Sequence, residues 1–330
     1  MKTGLLLVSL ALLAPAAAQA QAEMEHRYAD VNGIRLHYVT KGQGPVILFI
    51  HGFPEFWYAW KPQVEEFSRD HQAVAVDLRG YNLSSRPKEV EQYAIPLLVA
   101  DIQALADHLL RDRPRKKLTL VGHDWGGVVA WVFAMVHPEY LDRFVAINSP
   151  HPAVFQREIR ENPAQQKASS YMVMFRSEQA EAALSANNYE ALARAVFEGS
   201  AKPEAFSEED RRAYREAWSQ PGALTGGLNY YRASRAGPPP PNAATAAGSA
   251  AEPAAPLAQL PTQPIRVPTL VIWGEKDRAL LTGNLDGLDA HVTDLRIRRI
   301  PAGTHWVVHE FPAEIHAYIR EFMKDKAPGK

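Results

Sequence analysis

The sequence predicts an α/β architecture: a mostly parallel sheet covered by helices, with an inserted helical lid. Three observations carry that expectation. Short, continuous apolar runs alternate with segments of helical spacing, as in sheets buried on both faces. One such run, Leu118–Val121, passes through Gly122-His123-Asp124-Trp125-Gly126 into the apolar stretch Val128–Val136. That order is a strand, a tight turn and a buried helix. From Pro150 to about Ser234 the strand signal disappears and only helical stretches remain.

Residues 1–20 stand outside the fold. Lys2 gives a positive start, Leu5–Leu13 an apolar run, and Ala18-Gln19-Ala20 a small-residue cleavage site. Together these are the features of a secretory signal peptide. The run is shorter than the ~20 apolar residues of a spanning helix, and no later segment is long and apolar enough to replace it. The expectation is an exported protein, periplasmic or secreted, whose mature chain does not insert in a membrane.

The first part of the core is expected over residues 26–149. Ile34–Val39 alternates after an Asn32-Gly33 turn, which predicts an opening hairpin. Val46–Ile50 and Ala73–Val76 are buried strands, followed by His51-Gly52-Phe53-Pro54 and Asp77-Leu78-Arg79-Gly80. Leu97–Leu110 has helical spacing, and Phe144–Ile147 is a further strand. A helical lid follows over 150–235, with stretches at Tyr189–Glu198 and Glu208–Trp218. Residues 236–264 are rich in Pro and Ala, with four prolines at Pro238–Pro241. That composition suits a semi-flexible linker, with a partner-binding polyproline segment as the alternative. The second core part, 265–325, holds strands Thr269–Trp273 and Leu295–Ile300 and a helix starting near Pro312, a residue suited to a first helical turn.

Composition excludes several chemistries. The 330 residues include no cysteine, so there are no disulfides, thiolate nucleophiles or Cys-ligated metals. Lys and Arg number 36 against 37 Asp and Glu, a balance that favours neither nucleic acid nor an anionic membrane. The basic run Arg111–Lys117 reads as a solvated loop.

The turn after Leu118–Val121 places Asp124 where a G-x-S-x-G elbow would carry serine. A carboxylate needs no base to ionise it at neutral pH, since an ordinary Asp has a pKa of about 4. Its attack makes an ester of the enzyme's own carboxyl group. Suitable targets are strained or activated carbons, such as epoxides or alkyl halides. The alternative is that Asp124 caps the following helix, for which Asp is favoured. Freeing such an ester requires an activated water. His305, just past Leu295–Ile300, is a candidate base, and Asp277, past Thr269–Trp273, a candidate acid to orient it. The order nucleophile, acid, histidine is the one this type of fold uses, and each residue follows a strand's C-terminal end, where open α/β sheets bind ligands. Backbone amides of Phe53 and Trp125 are the expected oxyanion donors. Phe53-Pro54 is a candidate cis bond.

At this point the chain resembles the α/β-hydrolase superfamily and, within it, the soluble epoxide hydrolases. The resemblance spans about Tyr28 to Phe322, apart from the Pro-rich linker. It rests on His51-Gly52-Phe53-Pro54-Glu55, Asp77-Leu78-Arg79-Gly80-Tyr81-Asn82-Leu83-Ser84, Gly122-His123-Asp124-Trp125-Gly126-Gly127 and Leu228-Asn229-Tyr230-Tyr231-Arg232. The first and third are shared with haloalkane dehalogenases. The resemblance implies that Tyr231 is one epoxide-activating tyrosine, and Tyr171, in Ser170-Tyr171-Met172-Val173-Met174-Phe175, the other. A phenol with a pKa of about 10 stays protonated at neutral pH and can donate to the opening oxygen. The alternative role for both is lid packing, and Tyr230 is the packing neighbour. Phe53, Trp125, Tyr171 and Tyr231 would also contact substrate. Asn82 stands where the family has Gly, and Asn tolerates the left-handed backbone. The linker is longer than the family's.

The resulting expectation is an exported epoxide hydrolase without metal or cofactor, whose partners are a small epoxide and water. The first alternative is a haloalkane or haloacetate dehalogenase with the same Asp124-His305-Asp277 set. It needs halide donors, for which only Trp125 and, in the lid, Trp218 offer themselves; the arginine that haloacetate sites place after the nucleophile is here Trp125. The second alternative is a non-catalytic binding protein on the same scaffold.

Overall fold

The computed structural model describes residues 23–239, 260–261 and 263–324. The expected leader and most of the expected linker lie outside them. Strands β1 (Glu25–Val31), β2 (Ile34–Lys41), β3 (Val46–Ile50), β4 (Gln72–Val76), β5 (Leu118–His123), β6 (Leu141–Ile147), β7 (Thr269–Gly274) and β8 (Leu295–Ile300) form one sheet. Their order is β1-β2-β4-β3-β5-β6-β7-β8. β2 runs against both neighbours and all other pairings are parallel. Every residue of β3, β5 and β7 is buried, which is why they read as continuous apolar runs. Asn32 and Gly33 both have positive φ, the two-residue turn that matches strand twist.

Helices α1 (Lys61–Phe67), α2 (Ile95–Leu110) and α3 (Asp124–Val136) belong to the first part of the core. α3 packs on β5 and β6 and lies beside α2. The basic run after α2 is more than a solvated loop. The Lys116 ammonium donates to the Leu110 and Arg111 carbonyls that the helix end leaves unpaired, and Arg115 pairs with Asp142.

The lid carries α4 (Pro152–Glu161), α5 (Pro163–Ala168), α6 (Tyr171–Phe175), α7 (Ala180–Ala193), α8 (Glu208–Trp218) and α9 (Ala223–Ser234). α8 begins in a capping box between Ser207 and Asp210. The expected helix Tyr189–Glu198 is formed, starting at the end of a break in α7 and closing in a π-helical turn. Asn187, Asn188 and Tyr189 take left-handed backbone inside α7, and the chain passes through a π-turn at Arg194–Glu198. Two consecutive asparagines, which visit that region at least cost after glycine, sit at the break. α10 (Val307–Glu310) and α11 (Pro312–Lys324) end the described chain, with Pro312 opening α11 as expected. No helix of the described residues is long and apolar enough to cross a membrane.

Candidate active site

β5 turns into α3 at Asp124, whose φ of 50° lies in the left-handed region. That conformation costs an L-residue on the order of 1–3 kcal/mol and persists only where the surroundings fix it. Here the Phe53 amide donates to Asp124 Oδ1 at 2.8 Å, and Ser149 Oγ donates to the Asp124 carbonyl at 2.8 Å. Two glycines permit the approach. A Cβ on Gly126 would overlap the Ile50 and His51 carbonyls, and one on Gly52 would overlap the Asp124 carboxylate. Asp124 does not act as the helix cap, because its side chain points instead at the loop after β3, where the Phe53-Pro54 bond is cis.

The three residues that the sequence nominated from separate strands converge. His305 Nδ1 lies 2.7 Å from Asp277 Oδ2, and its Nε2 lies 3.6 Å from Asp124 Oδ2. Asp277 is buried and fully satisfied. Its Oδ1 accepts from the Ala279 and Leu280 amides at 2.8 and 2.9 Å, and Oδ2 also accepts from Asn148 Nδ2 at 2.8 Å. Burial alone would raise the Asp277 pKa, but the charge and hydrogen bond of His305 with those donors hold it below the usual value. Burial likewise opposes the His305 imidazolium. The Asp277 carboxylate outweighs it, Asp124 adds to the effect, and His305 is raised to about 9.

Tyr171 opens α6 and Tyr231 lies in α9. Their ring centroids are 6.4 Å apart, and both phenols line a cavity of about 290 Å³ with Asp124 and His305. Burial, then nearby phenolic or carboxylate charge, pushes both hydroxyls well above the ordinary phenol value, so they remain donors at neutral pH. Tyr231 is wedged edge-on between Phe53 and Trp125. Tyr230 points elsewhere and donates to the Arg79 carbonyl at 2.8 Å. The Trp125 amide lies in the first turn of α3, where backbone N–H groups have no partner within the helix. A smaller apolar pocket of about 30 Å³, bordered by Trp125, Phe155 and Met172, lies on another side of Asp124. Asn82 takes the left-handed backbone expected of it and donates to Asp77 Oδ2 at 2.8 Å.

Two features escaped the sequence reading. Asn148, just past β6, ties the site together: its amide nitrogen donates to Asp277 and its oxygen accepts from the Gly274 amide at 2.8 Å. Its position past a strand end was the available signal. The second is a buried cluster around Glu55. The carboxylate accepts from Tyr214 at 2.9 Å and contacts His309 Nε2 at 2.6 Å and His123 Nδ1 at 3.1 Å. Burial opposes its charge, but His309 and His123 outweigh this and hold it well below the ordinary carboxylate range. His123 Nε2 lies 2.9 Å from the His305 carbonyl, so the cluster reaches the backbone of the candidate base. Glu55 stands in a quoted motif, yet nothing local marks its partners, which come from 68 to 254 positions away.

Comparison with known proteins accords with this geometry. A family model described as alpha/beta hydrolase fold matches residues 45–312. An AB hydrolase superfamily protein of Bacillus subtilis is 37% identical over 304 residues, covering 91% of this chain and 98% of the relative. Epoxide hydrolase 2 of Caenorhabditis elegans is 33% identical, covering 91% and 80%. The crystal structure of the Bacillus megaterium epoxide hydrolase with an inhibitor superposes with a TM-score of 0.79 at 34% identity, covering 91% and 100%. The chain belongs to the α/β-hydrolase fold family. Within that family it falls among the epoxide hydrolases.

Proposed function

We propose that this chain hydrolyses an epoxide to a vicinal diol through an ester on Asp124. The observation that carries the reading is one cavity lined by a carboxylate, a histidine and two phenols, Asp124, His305, Tyr171 and Tyr231. Asp124 attacks a ring carbon and the carbon–oxygen bond breaks. Tyr171 or Tyr231 gives a proton to the departing oxygen, leaving a hydroxyalkyl ester and a phenolate. Esterification removes the Asp124 charge, one of the influences holding the proton on His305. That proton returns to the phenolate by way of solvent. Neutral His305, oriented by Asp277, then takes a proton from water as hydroxide adds to the Asp124 carboxyl carbon. The Phe53 and Trp125 amides stabilise the oxyanion. Collapse breaks the bond to the diol oxygen, which takes the proton from His305. The remaining carboxylic proton of Asp124 passes back to His305. The covalent route divides one hard displacement into two easier steps.

The dehalogenase alternative lacks support at its second halide donor. Trp218 Nε1 donates to the Pro54 carbonyl at 2.6 Å, and Trp218 does not border the main cavity. The test is turnover by purified protein of a panel of epoxides beside alkyl chlorides and bromides; halide release without diol formation sinks the reading. We further propose that the protein is exported and cleaved after Ala20, on the Lys2, Leu5–Leu13 and Ala18-Gln19-Ala20 pattern. The mass of exported protein tests this, and material retaining Met1 overturns it.

A further inference from the structure

Tyr230, the neighbour of Tyr231 in α9, is anchored outside the lid. It is buried, and its hydroxyl, which burial keeps protonated, donates to the Arg79 carbonyl at 2.8 Å. That carbonyl lies in the loop after β4, and the Arg79 side chain is held in turn. Its guanidinium forks onto Asp101 of α2 at 2.7 and 2.6 Å and donates to the Gln92 carbonyl at 3.0 Å. Asp101 also accepts from Asn32, in the β1–β2 turn, at 2.7 Å. The Arg79 and Asp101 side chains are each only 2% exposed. α9 rests directly on the same loop, since a Cβ on Gly226 would overlap the Gly80 carbonyl. Arg232, on the other side of Tyr231, bonds instead within the lid, to both Glu181 oxygens at 2.7 Å and to the Ser177 carbonyl at 3.1 Å.

Tyr230 does not border the main cavity, so it acts on the chemistry there only through other residues. Its ring and that of Tyr231 lie 5.7 and 5.1 Å from the Trp125 ring. Successive residues of an α-helix are roughly 100° apart, so fixing the direction of one fixes that of the next. Resting on the epoxide reading above, we propose that Tyr230 is a positioning residue: with Arg79 and Asp101 it sets the rotation of α9 that aims the Tyr231 phenol at the oxygen opening beside Asp124. Asp124 belongs to the sheet side of the molecule and Tyr231 to the lid, so their relative placement depends on what joins lid to core at α9. About 1 Å of misplacement can cost on the order of 10²-fold in rate. Ester release uses a separate hydrogen-bonded set, His305, Asp277 and Asn148. The two half-reactions should therefore respond differently to loss of the anchor.

The test follows the two half-reactions with styrene oxide or hexene oxide, whichever wild type turns over faster. Rapid mixing, acid quench and intact mass give the rates at which the Asp124 ester forms and decays. Tyr230→Phe keeps the ring that packs on Tyr81 and Tyr93 and removes only the hydroxyl. It should slow ester formation about three- to tenfold, part of the cost of misplacement, and leave release within about twofold of wild type. In a Tyr231→Phe background there is no phenol to aim, so the same substitution should change formation by less than about twofold. Gly226→Ala, which pushes α9 off Gly80, should show the same step selectivity by an independent route. Equal slowing of both steps, losses that multiply in the Tyr231→Phe background, or formation unchanged in Tyr230→Phe overturns the positioning role and leaves the epoxide reading intact. A wild type that opens neither epoxide removes both.

Discussion

His305 Nε2 stands 3.6 Å from Asp124 Oδ2, too far for a normal direct hydrogen bond and near enough for one water to bridge them. That spacing suits a histidine that serves the second step by acting on water. Asp124→Ala should therefore abolish turnover, whereas His305→Gln should still form the ester and fail to release it. Steady-state turnover of His305→Gln should fall about 10²- to 10⁴-fold, the range of a lost general base. Intact mass of that variant after mixing with substrate should show one added epoxide. An unmodified protein, with wild type active, places the covalent route in doubt.

The same route fixes where oxygen goes. Water attacks the Asp124 carboxyl carbon, so the oxygen delivered to the diol in a first turnover comes from Asp124. In a single turnover in heavy-oxygen water, the label should appear in the peptide containing Asp124 and be absent from the diol. Label found in the diol at once means direct attack of water on the epoxide.

Strands were legible because burial on both faces writes itself as apolar runs. Val46–Ile50 coincides with β3, which is buried throughout, and Glu208–Trp218 with α8; Leu295–Ile300 coincides with β8, an edge strand that is mostly half-buried and carries three arginines, so it does not owe its legibility to such burial. The elbow was legible because tight approach demands its glycines at fixed offsets. The helical break at Asn187–Tyr189 was not, since the spacing on either side remains helical and only the backbone conformation differs. Asn148 and the Glu55 cluster were hidden for another reason. Their roles arise from pairings across the fold, 126 positions for Asn148 with Gly274 and 254 for Glu55 with His309, and no local pattern encodes them.

Glu55→Gln tests that cluster. The substitution keeps the shape and removes the charge that faces His309 and His123. Breaking a buried charge pairing by removing one partner typically costs about 3–5 kcal/mol, less here because the amide retains hydrogen bonds. Denaturant unfolding should show a loss of stability on the order of 2–3 kcal/mol. Since His123 reaches the His305 carbonyl, release of the ester should slow more than its formation. Equal slowing of both steps would assign Glu55 a structural role alone.

The raised pKa of His305 has a consequence for stability. The folded chain holds this proton up to about 9, against 6.5 for the ordinary imidazole. The resulting stabilisation is complete below about pH 6.5 and is lost as pH rises through about 9. It amounts to at most about 3 kcal/mol. Wild type should exceed His305→Gln in Tm by a margin that is constant from pH 5 to about 6.5 and shrinks towards pH 10. A margin independent of pH sinks the assignment.

Tyr171 and Tyr231 separate the epoxide reading from the halide reading. An opening epoxide develops charge on an oxygen that remains in the product and must be protonated. A departing halide needs no phenol. The two rings are 6.4 Å apart and border the same cavity as Asp124, so one donor can partly replace the other. Removing a single positioned donor costs about 10²- to 10³-fold where nothing compensates. Tyr231→Phe and Tyr171→Phe should each slow ester formation by less than that, and the double variant by at least the full amount. Each variant must remain folded by circular dichroism for the comparison to hold. Diol formation and halide release are measured on epoxides and on alkyl bromides for wild type and all three variants. Loss of diol formation in the double variant, with negligible halide release throughout, is the expected result. Halide release that exceeds diol formation and survives loss of both phenols makes the protein a dehalogenase.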